Sequence, residues 1–165
     1  MKTKKIATYG LLIALAFIFS YIESQFPIPF GVPGMKLGLA NLVVICALYG
    51  MGWKDAFVLS IIRILLVGFT FKDPNTMLFS LAGGILSWLM MVLFMKSKMF
   101  SMVGVSIIGG VSHNIGQIAV AIVYVNNLNL VYYLPILLVF GAVTGTLIGI
   151  LGSIIVKRLK RIMTD

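Results

Sequence analysis

Acidic residues are scarce in this sequence. Of its 165 residues only four are Asp or Glu, and there is a single histidine and a single cysteine. The acidic residues stand far apart, so no paired-aspartate motif could hold Mg²⁺ against a diphosphate. One histidine and one cysteine exclude the usual zinc and haem ligand sets, and Cys46 can form no internal disulfide. We therefore predict no catalytic residue, no metal site and no cofactor.

A phosphate-binding loop is also missing. The segment 50–54, Gly-Met-Gly-Trp-Lys, has neither the spacing nor the hydroxyl of the Gly-x-x-x-x-Gly-Lys-Ser/Thr motif. The chain therefore cannot hydrolyse ATP by itself. Its thirteen basic residues give a net charge of +9, but they are scattered over short segments and form no continuous face. This distribution argues against a nucleic-acid partner.

Long apolar runs dominate what remains. Hydrophobic residues make up 61% of the sequence and charged residues 10%, with a mean hydropathy of +1.12. A soluble core of this size could not bury so much apolar surface, whereas lipid solvates it directly. The runs lack the alternation of a membrane β-barrel, so helices are expected. We predict an all-α integral membrane protein with one domain over 1–165 and six transmembrane helices in one bundle. The predicted spans are 6–22, 37–53, 56–71, 75–95, 102–125 and 130–156.

The basic residues predict the orientation of these spans. With a cytoplasmic N-terminus, the inside segments carry ten Lys or Arg and the outside loops carry only Lys36 and Lys72, while Arg63 lies within a span. Cytoplasmic loops are enriched in Lys and Arg, so this bias predicts a multi-pass protein of the cell membrane with both termini cytoplasmic.

Polar side chains in the fifth span predict a binding site. His113 and Gln117 are four residues apart and share a helix face, and Asn114 flanks it. Such a cluster is unfavourable against lipid, so these side chains should point into the bundle. Hydrogen bonds between helices are one interpretation. A wall of a small-molecule site is the other, and we favour it here.

Two further residues and one loop belong to this predicted site. Arg63 lies well inside the third span, where it should either pair with an internal acceptor such as Glu23 or oppose an anionic or carbonyl-bearing ligand. Asn41 is the other predicted member. The outer loop 27–34 holds three prolines, which give it a definite irregular shape. It is either a connector that shields helix ends or a lid over the site.

Small residues predict where helices meet. Gly141, Gly145 and Gly149 repeat every four residues in the sixth span, which indicates close helix packing. Ala7, Gly10 and Ala14 form a similar stripe in the first span. If that stripe faces outward, it could dock on another membrane protein.

Several segments, in this order along the chain, resemble a known bacterial membrane family. They are Pro33-Gly34-Met35-Lys36-Leu37-Gly38-Leu39-Ala40-Asn41, the intramembrane Arg63, Ser80-Leu81-Ala82-Gly83-Gly84 and Ser112-His113-Asn114-Ile115-Gly116-Gln117. The family is labelled heptaprenyl diphosphate synthase component I, also called Gx transporters, and the resemblance covers nearly the whole chain. That family in turn looks like the substrate-binding S components of energy-coupling-factor (ECF) vitamin transporters.

The resemblance implies a function without supplying a substrate. S components are six-helix proteins with cytoplasmic termini that bind a small molecule near the outer face. They dock through small residues of helix one on a membrane T subunit that carries two cytoplasmic ATPases. By this likeness the chain is a non-enzymatic subunit for uptake of a vitamin-like or isoprenoid-related molecule. The alternative is a membrane-embedded, non-catalytic component associated with synthesis of heptaprenyl diphosphate, the menaquinone side chain.

Overall fold

Helices account for nearly all of the structure. The computed structural model describes the backbone of residues 2–25, 40–71 and 74–164 and the side chains of 6–23, 40–70 and 77–158. Within these ranges the chain forms six α-helices and no strand, which confirms the predicted all-α bundle. The helices are α1 (Lys2–Gln25), α2 (Asn41–Gly50), α3 (Trp53–Phe71), α4 (Pro74–Ser97), α5 (Met102–Val125) and α6 (Leu134–Thr164), with a short 3₁₀ helix (Leu128–Tyr133) before α6.

Four segments are long and apolar enough to cross a membrane. They are Ile6–Glu23, Met77–Ser97, Met102–Val125 and Leu128–Arg158. α2 has only 10 residues, whereas a span needs about 20. α3 has 19 residues, but three of them are charged: Lys54, Asp55 and Arg63. Four of the six predicted spans thus correspond to helices that are long and apolar enough to cross a membrane, while those at 37–53 and 56–71 do not meet these criteria.

The boundary between α2 and α3 corrects the predicted ends of those two spans. α2 ends at Gly50, and the backbone N–H groups of Met51 and Gly52 both donate to the carbonyl oxygen of Ala47, at 2.8 and 3.0 Å. Gly52 has a φ of 118°, a conformation that glycine adopts without a steric cost. Because this turn reverses the chain, Trp53 begins α3 and does not end the second span.

Burial inside the protein explains why α2 resembled a span in the sequence. Seven consecutive residues, 42–48, are buried, on every side of the helix. α2 packs against α1, α3 and α6. A helix that is hydrophobic all round belongs in a core or a membrane, and hydropathy cannot distinguish the two. The apolar character of α2 therefore reflects its contacts with neighbouring helices.

Glycines set the close approach of α5 and α6. A Cβ atom on Gly145 would lie 2.7 Å from Ile107 Cα, and one on Gly149 would lie 2.7 Å from Val103 Cα. Both contacts are with the α5 backbone, which cannot move aside as a side chain could. The stripe in α6 is therefore a packing face, as predicted, and it fixes the position of α5.

The outer surface of the bundle is apolar. On α6 the exposed side chains Val139, Val143, Leu147, Ile150 and Ile154 recur at helical spacing along one face. A large exposed apolar surface is unfavourable in water and favourable in lipid. This surface and the long apolar helices are compatible with a membrane-embedded protein.

Basic and aromatic side chains meet at one end of the bundle. The ammonium groups of Lys54 and Lys96 lie 5.3 and 5.2 Å from the ring centroid of Trp53. The indole N–H of Trp88 donates to the carbonyl oxygen of Trp53 at 2.9 Å. Tryptophan and lysine favour membrane interfaces. Two of the segments that the charge bias predicts to be cytoplasmic thus lie at the same end of the molecule.

Cysteine labelling is expected to verify the orientation. A membrane-impermeant thiol reagent applied to intact cells should label Asn127→Cys and should not label Ser97→Cys, because the charge bias predicts Asn127 outside and Ser97 inside. Both positions are exposed; Ser97 ends α4, before the N-terminus of α5, and Asn127 follows the C-terminus of α5. The native Cys46 is buried and should be replaced by alanine as background control. If Ser97→Cys is labelled and Asn127→Cys is not, the predicted orientation is wrong and the termini lie outside.

Candidate ligand-binding cavity

A cavity lies among the six helices. Its empty volume is about 620 Å³, a figure that includes its open mouth. Each of the six helices contributes to its wall. The lining residues are Ser20, Glu23, Asn41, Arg63, Ile64, Val67, Gly68, Met77, Ser80, Gly110, His113, Asn114, Gln117 and Thr144.

The structure brings together all of the predicted binding residues. His113, Asn114 and Gln117 of α5 line the cavity together with Asn41 of α2 and Arg63 of α3. Asn41 and Arg63 are far from α5 in sequence, so only the fold places them in one wall. Their role in binding stays a prediction. The loop 27–34, the predicted lid, lies outside the described residues.

Four further polar residues line the cavity. Ser80 of α4 lies in one of the segments behind the family resemblance, and Thr144 lies in the glycine stripe of α6. Ser20 and Glu23 are three residues apart in α1 and share a face. The sequence suggested Glu23 only as a partner for Arg63 and not as a lining residue. Its position as an acidic residue at the end of an apolar run was the signal that could have indicated this role.

Arg63 is the only Lys or Arg among the lining residues that the structure describes. Its Nη2 donates to Asn41 Oδ1 at 3.5 Å, a long hydrogen bond. Glu23 lies close enough to act on the guanidinium electrostatically. The Nε atom of Arg63 is buried and has no hydrogen-bond partner among the residues that the structure describes. A buried donor of this kind favours an acceptor from a bound molecule.

Asn114 combines two roles. Its amide nitrogen donates to the carbonyl oxygen of Leu137 in α6 at 2.6 Å, and the residue is buried. The same nitrogen would lie 2.8 Å from a Cβ atom on Gly141. The packing interpretation therefore holds for this amide nitrogen, which connects α5 to α6, although the residue also lines the cavity.

Gly83 of α4 determines how His113 and Gln117 are placed. A Cβ atom on Gly83 would lie 2.7 Å from Gln117 Cγ and 3.1 Å from His113 Cε1. Gly116 packs equally closely, since its Cβ atom would lie 2.9 Å from the carbonyl oxygen of Ala82. These glycines let α5 approach α4 so closely that the two polar side chains lie against α4.

The small-residue stripe of α1 lies on the other side of that helix. Ala7, Gly10 and Ala14 are exposed, and a Cβ atom on Gly10 would meet nothing within 4 Å. The cavity residues Ser20 and Glu23 occupy the same helix further along the chain. At Gly10 the stripe therefore has room for another helix, since no described residue packs against that position. Docking through the stripe stays a prediction.

The described side chains offer little for metal chemistry. No group of three or more His, Cys, Asp or Glu residues occurs in the part of the chain that the structure describes. Cys46 is buried within α2, away from the cavity wall. The cavity is suited to binding through hydrogen bonds.

Comparison with known proteins identifies the family. Residues 12–155 match the family described as heptaprenyl diphosphate synthase component I. The chain belongs to this family. No curated protein and no solved structure matches the chain. The family description names a component of a synthase, in agreement with the alternative function that the resemblance implied. The further likeness to ECF S components has no match behind it and stays a prediction.

Proposed function

We propose that this chain is the substrate-binding membrane subunit of an ECF-type transporter. It binds one small molecule in the cavity among its helices and leaves energy coupling to other proteins. The observation that supports this proposal most is the buried Nε–H of Arg63, which has no described partner and belongs to a cavity lined by polar side chains from every helix. Polar side chains that converge on one cavity are typical of small-molecule sites.

Partners are the second part of the proposal. The sequence has no phosphate-binding loop, so transport requires separate ATPases. We place the chain in the cell membrane with both termini cytoplasmic, next to a T subunit that carries two cytoplasmic ATPases. The exposed face of Ala7, Gly10 and Ala14 on α1 is the proposed docking surface. Small residues on such a face let another helix approach closely.

Replacing Gln117 by alanine is expected to weaken ligand retention without unfolding the protein. Gln117 lines the cavity, and the loss of one buried hydrogen bond to a ligand corresponds to about 5- to 150-fold in affinity. Asn114→Ala should reduce both retention and thermal stability, since Asn114 also donates to Leu137. Retained small molecules are measured by mass spectrometry after purification in detergent, and stability by thermal unfolding.

The matched control is Asn129→Ala, because Asn129 is exposed on the 3₁₀ helix, outside the cavity. It should leave both retention and stability unchanged. Equal retention by the wild type, Gln117→Ala and Asn114→Ala would mean that the α5 cluster only joins helices, and the proposed site would be wrong.

Pull-down is expected to recover the T subunit and its ATPases with the wild-type chain. Gly10→Leu and Ala14→Leu should reduce that recovery, because each adds a large side chain to the exposed face of α1. Leu11→Met, an exposed and volume-conserving change on the same helix, is the control. Equal recovery with all variants would exclude this face, and no recovery with any would contradict the ECF assignment.

A second candidate function is favoured by the family description. In this alternative the chain is a non-catalytic membrane component that associates with a heptaprenyl diphosphate synthase and gives it access to lipid substrates. The same pull-down separates the two functions. A soluble prenyl diphosphate synthase in the eluate, without a T subunit or ATPases, would favour this candidate.

A further inference from the structure

The described part of the cavity wall is rich in hydrogen-bonding side chains. Nine of the fourteen lining residues that the structure describes have polar side chains, and three, Ile64, Val67 and Met77, have large apolar ones. Covering buried polar groups with hydrocarbon leaves them without hydrogen bonds, which is unfavourable for each group. A prenyl tail therefore fits this wall poorly. A molecule with hydrogen-bonding groups over most of its surface fits it well.

Among the lining residues that the structure describes, the formal charges of Glu23 and Arg63 balance. Glu23 supplies one negative charge and Arg63 one positive charge, and His113 is the third titratable group of this described set. Because Glu23 acts electrostatically on Arg63, the guanidinium already has a counter-charge. A ligand of zero net charge adds no uncompensated charge to this pair. A diphosphate would bring several negative charges next to a carboxylate, which is unfavourable in a buried site.

The hydrogen-bonding capacity of the wall indicates what the ligand presents. Arg63 Nε is a buried donor without a described partner and therefore selects an acceptor oxygen or nitrogen. Thr144 already donates its hydroxyl proton to the carbonyl oxygen of Phe140 at 2.8 Å, so toward the cavity it can only accept. The ligand thus needs an acceptor at one position and a donor at another.

Resting on the proposed binding function, we propose that the ligand is a small hydrophilic compound of zero net charge, neutral or zwitterionic. A carbonyl-type acceptor on the ligand binds Nε–H of Arg63, and an N–H or O–H group faces Thr144. We expect neither prenyl diphosphates nor quinones to occupy this cavity, because an apolar tail would leave polar side chains of the wall without hydrogen bonds and a diphosphate would lie next to Glu23.

The test is the compound that the full-length protein carries through purification. Protein is extracted in mild detergent, the retained compound is released by heat, and its net charge and amount per folded protein are determined by mass spectrometry. Three variants are compared with the wild type: Arg63→Lys, Glu23→Gln and the control Arg158→Lys, which lies on the exposed end of α6. Farnesyl diphosphate and menaquinone-4 are added in excess to wild-type protein as displacement probes.

Five results are expected. The compound has zero net charge at neutral pH. Arg63→Lys keeps the charge but loses the planar guanidinium fork, so retention falls about 5- to 150-fold. Arg158→Lys leaves retention unchanged. Glu23→Gln does not raise retention, and neither farnesyl diphosphate nor menaquinone-4 displaces the compound.

The contrary outcomes separate the two proposals. An anionic compound whose retention rises in Glu23→Gln, where a repelling carboxylate has been removed, would overturn the inferred class and leave the binding function intact. So would a retained quinone or prenyl diphosphate. A wild-type protein that retains no small molecule, and whose thermal unfolding is unchanged by a small-molecule extract of the expressing cells, would overturn the binding function itself.

Discussion

Replacing Gly145 by alanine is expected to destabilise the protein, whereas replacing Gly10 by alanine is not. A Cβ atom at Gly145 would lie 2.7 Å from Ile107 Cα and 2.8 Å from the carbonyl oxygen of Ser106, both in the α5 backbone. The two helices must separate to admit it, and overpacking of this kind lowers the free energy of unfolding by about 1–3 kcal/mol. At Gly10 nothing lies within 4 Å. Alanine there should leave the stability unchanged or raise it by up to about 1 kcal/mol.

The pair of variants is matched, since each adds one methyl group to a helical glycine. Unfolding is followed by circular dichroism as dodecyl sulfate is titrated into dodecyl maltoside micelles. Equal effects at the two positions would show that α5 and α6 do not pack as closely in the folded protein as the glycine contacts require.

Removing the guanidinium of Arg63 is also expected to lower the free energy of unfolding strongly. Arg63→Met leaves Glu23 in the cavity wall without its counter-charge. Breaking a buried charge pair on one side is strongly destabilising, and because Glu23 keeps some exposure we expect about 3 kcal/mol. Arg63→Met combined with Glu23→Gln should recover most of the lost stability, because both charges are then absent and no uncompensated charge remains in the cavity wall.

A double-mutant cycle measures this coupling. The free energies of unfolding of the wild type, Arg63→Met, Glu23→Gln and the double variant are compared under the same titration. A coupling of about 0.5–3 kcal/mol between the two positions is expected for two charges that interact electrostatically in one cavity wall. Additive effects would mean that Glu23 and Arg63 do not share one charge environment, and the neutral-ligand inference would lose its electrostatic basis.

Part of the candidate site could be predicted from the sequence. His113, Asn114 and Gln117 are close together on one helix, and their polarity in an apolar run is visible in the residues themselves. Arg63 was evident for the same reason. Ser20, Ser80 and Thr144 were not, because a hydroxyl side chain is common in membrane helices and carries little signal until the fold places it beside a cavity.

The second predicted span shows a different kind of limit. Segment 42–48 is as hydrophobic as a lipid-facing helix, but it is buried by α1, α3 and α6. Hydropathy reports that a segment avoids water and does not report whether lipid or protein surrounds it. The two glycines Gly50 and Gly52 lie within the predicted span 37–53 and indicate a turn there, so the sequence already argued against a full span.

The sequence by itself determined the class of this protein, because the apolar composition and the absence of alternation leave helices in a membrane as the favourable arrangement. It also determined which residues cannot face lipid, since that follows from the polarity of each side chain. Only the tertiary structure decided that Glu23 and Arg63 share one wall, that Asn114 binds Leu137, and that the stripe of Gly10 faces outward. These are relations between residues far apart in the chain, and they depend on how closely glycine-bearing helices approach one another.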